Sequence, residues 1–221
     1  MPTIVAYDIE TVPLSPDMLT PVTQARLTKQ VTRLSSKEPD LSVAEGLTKA
    51  ASLHPVIGMI CAIGIARYDE QRGYVAEAFK AATLDEERVM LEQFWAQLEK
   101  PAWRPYMAVS FNGKFFDAGF LLMRTLAHGL TLPSFHEKLL HTNPWKNRPH
   151  FDLMHLCRFT IGLADLCEVL GVESPKDDID GSQVYEVFQQ EGGLLRIAAY
   201  AARDAVKTLE CYHVLQHQKA A

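Results

Sequence analysis

The longest apolar run in the chain is Val56-Ile-Gly-Met-Ile-Cys-Ala-Ile-Gly-Ile-Ala66. A membrane-spanning helix needs roughly 20 apolar residues, so a run this short has strand length, and its β-branched start favours a strand over Val56–Tyr68. Asp69 to Gly73 is a turn signal, and Tyr74–Phe79 continues the chain as the second arm of a hairpin. Two more strands are expected at Thr3–Tyr7 and Met107–Phe111. Thr83 with Glu86 forms a capping-box signature ahead of an amphipathic helix that carries Leu84, Leu91, Phe94, Trp95 and Leu98 on one face. Helices are predicted over Asp117–Leu126, Leu163–Leu170, Ser182–Gln190 and Leu194–Gln216, with a loop from Leu132 to His150. A hairpin followed by alternating strands and helices predicts an α/β fold with helices packed on a mixed sheet.

With 221 residues, 48% of them apolar and 22% charged, the expectation is one globular domain over 1–221. More than 40 residues, about 14–54, interrupt the strand pattern and read as a helical insertion between the first and second strands. Within it Arg26, Lys29 and Arg33 share a helical face, and Ser42 with Glu45 offers another capping box. The face reads as a solvated charged surface, with a nucleic-acid-contacting or self-associating arm as the sharper alternative. Cys61, Cys157, Cys167 and Cys211 lack metal spacing and read as reduced thiols. The pairs His136/His141 and His150/His155, five apart, miss the one-face spacing of a zinc site. With neither a leader nor a membrane span in view, a cytoplasmic protein is expected. The net charge of −5 argues against a basic nucleic-acid footprint, unless bound cations reverse the local field.

Asp8 and Glu10, in Thr3-Ile-Val-Ala-Tyr-Asp-Ile-Glu-Thr11, are expected at the exposed end of the first strand. Side chains two apart on a strand point the same way. Two carboxylates held together beside a core need a proton or a cation, and a divalent metal is the natural expectation. Chance supplies about one Asp-x-Glu in a chain of this make-up, so the other motifs matter. Ser110-Phe-Asn112-Gly-Lys-Phe-Phe116-Asp117 is a strand, a turn and a helix start that delivers Asp117. Tyr200 and Asp204 lie four apart on one edge of a helix whose packing stripe is Ile197, Ala201, Ala205 and Leu209.

These motifs, in this order, resemble the 3′-to-5′ exonucleases of the DEDD type, tyrosine-containing branch, within the ribonuclease H-like superfamily. They are most similar to stand-alone bacterial proteins akin to the proofreading exonuclease domain of B-family DNA polymerases. The matching residues are Asp8-Ile-Glu10-Thr11, Asn112 with Phe116-Asp117, and Tyr200-x-x-x-Asp204. His150-Phe-Asp152-Leu153 and Lys176 with Asp180-Gly-Ser-Gln-Val184 add to the likeness. Two stretches depart from it: Ser174-Pro175-Lys176 where Pro-Gly-Lys is usual, and Ala201-Ala202-Arg203 where a polar spacer is common.

The resemblance implies a ribonuclease H-like mixed five-stranded sheet flanked by helices. It also implies release of nucleoside 5′-monophosphates from single-stranded 3′ ends, DNA favoured over RNA, with two divalent cations, Mg or Mn, as cofactors. Asp8 would bridge the metals, Glu10 and Asp204 would complete one, and Asp117 would hold the other. Tyr200 and Glu10 would orient the attacking water, the phenol positioning it rather than acting as base. Thr11, Asn112 and Phe116 are the substrate-binding candidates. The setting implied is DNA repair or proofreading, with no polymerase or repair partner identifiable and no membrane involved. An exoribonuclease or RNA-processing nuclease, and a non-catalytic nucleic-acid-binding module, remain the alternatives.

Overall fold

The computed structural model describes residues 3–37, 42–105, 107–133, 136–140, 143, 146–156, 161–174 and 179–220. His141, Cys157 and the Pro175-Lys176 pair lie outside the described residues. Five strands form one mixed sheet: β1 (Ile4–Pro13), β2 (Gly58–Asp69), β3 (Gly73–Lys80), β4 (Met107–Ser110) and β5 (His150–Asp152), in the order β3-β2-β1-β4-β5. The hairpin β2–β3 is antiparallel, β2 is antiparallel to β1, and β4 and β5 add on parallel to β1. Between β1 and β2, where an insertion is expected, lie α1 (Pro21–Ser35) and α2 (Val43–Ser52). The remaining helices are α3 (Leu84–Glu99), α4 (Asp117–Ala127), the short α5 (His136–Leu139), α6 (Leu163–Leu170), α7 (Val184–Phe188) and α8 (Gly193–Ala220). Among the described residues no helix is long and apolar enough to cross a membrane.

The caps read from the sequence are in place. Thr83 accepts from Glu86 N at the start of α3, although the Glu86 carboxylate reaches Ala82 N rather than Thr83 N. Ser42 and Glu45 form a complete reciprocal box. The predicted Ser182–Gln190 helix is shorter in the structure, because Asp180 accepts from Ser182 N and holds that residue in a turn.

The main correction concerns β1. Its expected end at Tyr7 is wrong: the strand continues to Pro13, so Asp8 and Glu10 sit within it rather than at its tip. Antiparallel pairing to β2 supports it the whole way, through Thr11↔Ile60 and Pro13↔Gly58. Polar residues interrupt the apolar pattern there, which is why the sequence alone ended the strand early.

On β2 the residues alternate in size. Ala62, Gly64 and Ala66 share one face, and the bulky Ile63 and Ile65 share the other. The small face lies under α8. A Cβ on Gly64 would stand 2.1 Å from Ala201 O, so the helix backbone rests directly on the strand. The α8 stripe Ile197, Ala201, Ala205 and Leu209 is fully buried. Ile63 and Ile65 pack with Leu91 and Phe94 of α3 and Phe120 and Leu121 of α4. Cys61, Cys167 and Cys211 are buried free thiols.

Candidate active site

The opening begins where β1 loses one neighbour. Its parallel pairing with β4 stops at Ala6↔Val109, so from Tyr7 onward one edge of β1 faces away from the sheet. β4 turns off there into Asn112 and α4. The first side chain of α4 returns to that free edge: Asp117 Oδ1 accepts the Ile9 amide at 3.0 Å.

Cross-strand partners share a face of the sheet, so Ala6↔Ala66, Asp8↔Gly64 and Glu10↔Ala62 put both carboxylates on the α8 side. The small partners Gly64 and Ala62 leave room for them, and the approach of α8 at Gly64 brings Tyr200 and Asp204 to the same place. Just beyond Glu10 the ladder is irregular, Glu10 pairing with Ala62 but Thr11 with Ile60, which leaves Cys61 as an extra residue. The Ile60 amide is taken by buried Glu87 of α3 at 2.7 Å. Glu87 is also bound by Arg124 of α4 and by His128, which caps that helix, so one carboxylate ties the helix carrying Asp117 to β2.

Burial first and mutual repulsion second perturb the charges of the site. Burial, then Glu10, Asp117 and Asp204, push the Asp8 carboxyl well above the ordinary aspartate range. Burial, Asp204 and Asp117 do the same to Glu10. Asp117 is raised to about 7, burial outweighing the hydrogen bonds from backbone amides. Tyr200 is hydrogen-bonded to Asp204, and burial together with Asp204, Glu10 and Asp8 raises its phenol far above its usual range. Without a cation in the site the phenol is therefore protonated at neutral pH. Asp8 Oδ2 is buried without a hydrogen-bond partner, one of two such side-chain atoms among the described residues.

Hard carboxylate oxygens that repel one another, one of them orphaned, are a donor set that suits Mg²⁺ or Mn²⁺. Among the described residues no three Asp, Glu, His or Cys side chains are already drawn into a closed ligand group, and Asp117 Oδ1 is turned to Ile9.

Asp152, at the end of β5, is a fully buried carboxylate that organises the turn before Asp117. Its Oδ1 accepts from Asn112 N at 2.8 Å and Met154 N at 3.1 Å, and its Oδ2 accepts from Lys114 N at 2.9 Å. Asn112 adopts φ 64°, the left-handed region that asparagine tolerates better than most residues. A Cβ on Gly113 would fall 2.5 Å from Ser110 Oγ. Lys114 is buried and donates to Asn143 O at 3.1 Å and Lys146 O at 2.6 Å, pinning the segment before β5.

The three substrate-binding candidates are placed unequally. Thr11 is buried, and its hydroxyl proton is committed to Ser52 O at 2.7 Å, so it can only accept from a ligand. Asn112 sits in the Asp152 turn. Phe116 is partly buried against Phe120, with ring centroids 5.4 Å apart, whereas neighbouring Phe115 is 84% exposed. A groove of about 650 Å³ opens beside Thr11, lined by Lys49, Ser52, Leu53 and Tyr185 and carrying the carboxylates Glu45 and Glu186 on its wall. Gly64 and Lys114 were not singled out from sequence. The alternation Ala62-x-Gly64-x-Ala66 inside a bulky run is the signal for the first, and a lysine between Gly113 and Phe115 gives none for the second.

The chain belongs to the family described as predicted 3′-to-5′ exonucleases related to the exonuclease domain of PolB, which matches residues 52–221 and so leaves Asp8 and Glu10 outside the matched span. An uncharacterized protein of Methanocaldococcus jannaschii is 27% identical over 180 residues, 76% of this chain and 91% of that protein. A DNA polymerase of Pyrococcus glycovorans is 28% identical over 137 residues, 56% of this chain but 17% of the polymerase. The structure of the family B DNA polymerase from the hyperthermophilic archaeon Pyrobaculum calidifontis superposes with a TM-score of 0.65 at 19% identity, over 98% of this chain and 25% of that one. At that identity the likeness establishes the fold, a ribonuclease H-like α/β sheet. The chain thus spans a quarter or less of the polymerases it matches.

Proposed function

We propose that this protein is a metal-dependent 3′-to-5′ exonuclease of the tyrosine-containing DEDD kind. Residues 1–221 act as one catalytic domain that releases nucleoside 5′-monophosphates from single-stranded nucleic acid, DNA in preference to RNA. The observation that carries this reading is the meeting of Asp8, Glu10, Asp117 and Asp204 at the free edge of β1, with Asp8 Oδ2 buried and unpartnered. Family membership supports a nuclease of this kind.

In this reading two divalent cations would be held by these carboxylates, Asp8 serving both, Glu10 and Asp204 completing one, and Asp117 holding the other. Bound there, the cations supply neutralisation of charge at the scissile phosphate and acidification of water. Glu10 and Tyr200 orient the attacking water. Tyr200 positions that water by hydrogen bonding, as suits a phenol whose ordinary pKa is near 10. Thr11, Asn112 and Phe116 line the approach of the terminal nucleotides, with exposed Phe115 as a further stacking surface. A repair or proofreading setting fits this chemistry.

The test is hydrolysis of a single strand by the purified protein with Mg²⁺ or Mn²⁺, alongside Asp8→Ala and Asp204→Ala. Both variants are expected to fold and to lose activity. Full activity in either would remove that residue from the site.

A further inference from the structure

The family match begins at residue 52, so α1 and nearly all of α2 lie outside it, and neither contributes to the chemistry proposed above. α1 is anomalous for a chain of net charge −5. Its 15 residues hold Arg26, Lys29 and Arg33 and not one Asp or Glu. All three cations are exposed, and their spacing of three and four places them on one face. An exposed helix kept for solubility alone ordinarily mixes both signs.

This face continues from the candidate site. Leu53, 55% exposed, borders the groove that opens at Thr11. It also borders the adjoining hollow formed with Gln30, Arg33, Leu34 and Ala50. The next residue, His54, is held below the ordinary histidine range by burial and then by the charge of Arg26, which places Arg26 at the same end of α2. The surface therefore runs from Thr11 past Leu53 to Arg33 and Arg26.

We propose that the α1 face of Arg26, Lys29 and Arg33 binds the phosphates of the substrate strand upstream of its 3′-terminal nucleotide. This surface rests on the reading of the site as a 3′-end nuclease. It also answers the objection from net charge: the basic footprint is confined to one helix.

The test is fluorescence anisotropy with a 5′-labelled, hydrolysis-resistant phosphorothioate single strand at several salt concentrations. It compares the wild type with Arg26→Gln/Lys29→Gln/Arg33→Gln, in which glutamine keeps helix propensity. Losing three phosphate contacts is expected to reduce the slope of log affinity against log salt by about 2 and to weaken binding of long strands while leaving a dinucleotide unaffected. A control triple, Arg72→Gln/Arg88→Gln/Arg104→Gln, removes the same charge from exposed positions elsewhere and is expected to keep the wild-type slope. An unchanged slope in the α1 variant, an equal change in the control, or no binding by the wild type would overturn the surface. A protein that binds through α1 yet hydrolyses nothing would keep the surface and defeat the exonuclease reading, so the two failures are distinguishable.

Discussion

Asp117 Oδ1 accepts the Ile9 amide proton at 3.0 Å, giving β1 a hydrogen-bond partner at the point where β4 has turned away. One acidic side chain of the site therefore also completes a strand edge. Asp117→Asn retains an acceptor and removes a charge. It is expected to keep or raise thermal stability while abolishing hydrolysis. Asp117→Ala strands the Ile9 N–H in a buried position and is expected to cost about 1–3 kcal/mol in denaturant unfolding as well. Equal stability of the two variants would remove the structural half of this assignment.

Gly64 stands opposite Asp8, and its missing side chain is the space occupied by the α8 backbone at Ala201. Gly64→Ala forces helix and sheet apart. A loss of about 1–3 kcal/mol or more is expected from overpacking, together with a disproportionate fall in activity, because Tyr200 and Asp204 move away from Asp8. Retained kcat in a folded Gly64→Ala variant would show that the site tolerates this displacement.

Burial, with charge crowding second, sets the pH dependence of the metal-free protein. Asp8, Glu10 and Asp117 are all raised in the folded state, Asp117 to about 7. Between the unfolded aspartate value near 4 and that folded value, the native state binds more protons than the unfolded chain. Stability is therefore expected to fall as pH rises from about 4 to about 7 in chelator. Mn²⁺ or Mg²⁺ should remove that fall, since a bound cation replaces the protons. Thermal melts across this range, with and without metal, read the effect directly. A metal-free protein that gains stability over the same interval would contradict it.

Asp152 tests the turn rather than the chemistry. Its two oxygens accept three amide protons, from Asn112, Lys114 and Met154. Asp152→Asn presents an N–H₂ group to one of these donors, and an expected cost of about 1–3 kcal/mol follows from the unsatisfied pairing. Activity should fall more than stability accounts for at saturating substrate, because Asp117 follows the turn. Unfolding curves and kcat measured on the same preparation separate the two effects.

Much of this was legible in the chain. The hairpin, both Ser and Thr caps and the α8 packing stripe were readable from periodicity and spacing, whereas the roles of Asp8, Glu10, Asp117, Tyr200 and Asp204 are a proposal that rests on spacing and family likeness. The length of β1 was not legible, because Asp8, Glu10 and Thr11 look polar in one dimension and find their partners only across the sheet in β2. Gly64 escaped for a related reason, and Asp152 was read only as part of the family likeness, without its turn-holding role. Their roles consist of a close approach and three amide contacts, each made to residues distant in sequence.

Tyr200→Phe isolates the phenol. Its hydrogen bond to Asp204 suits positioning, so hydrolysis is expected to slow about tenfold or more while calorimetric binding of Mn²⁺ is unchanged. An unaffected rate would take Tyr200 out of the mechanism.

The most direct measurement follows a 5′-labelled single strand, in DNA and RNA versions, incubated with the protein and Mg²⁺ or Mn²⁺, with chelator and Asp204→Ala as controls. The expected result is a one-nucleotide ladder shortening from the 3′ end, faster on DNA and absent in both controls. Internal cleavage, release of label from the 5′ end, or a ladder that persists in Asp204→Ala would contradict a 3′-to-5′ exonuclease built on these four carboxylates.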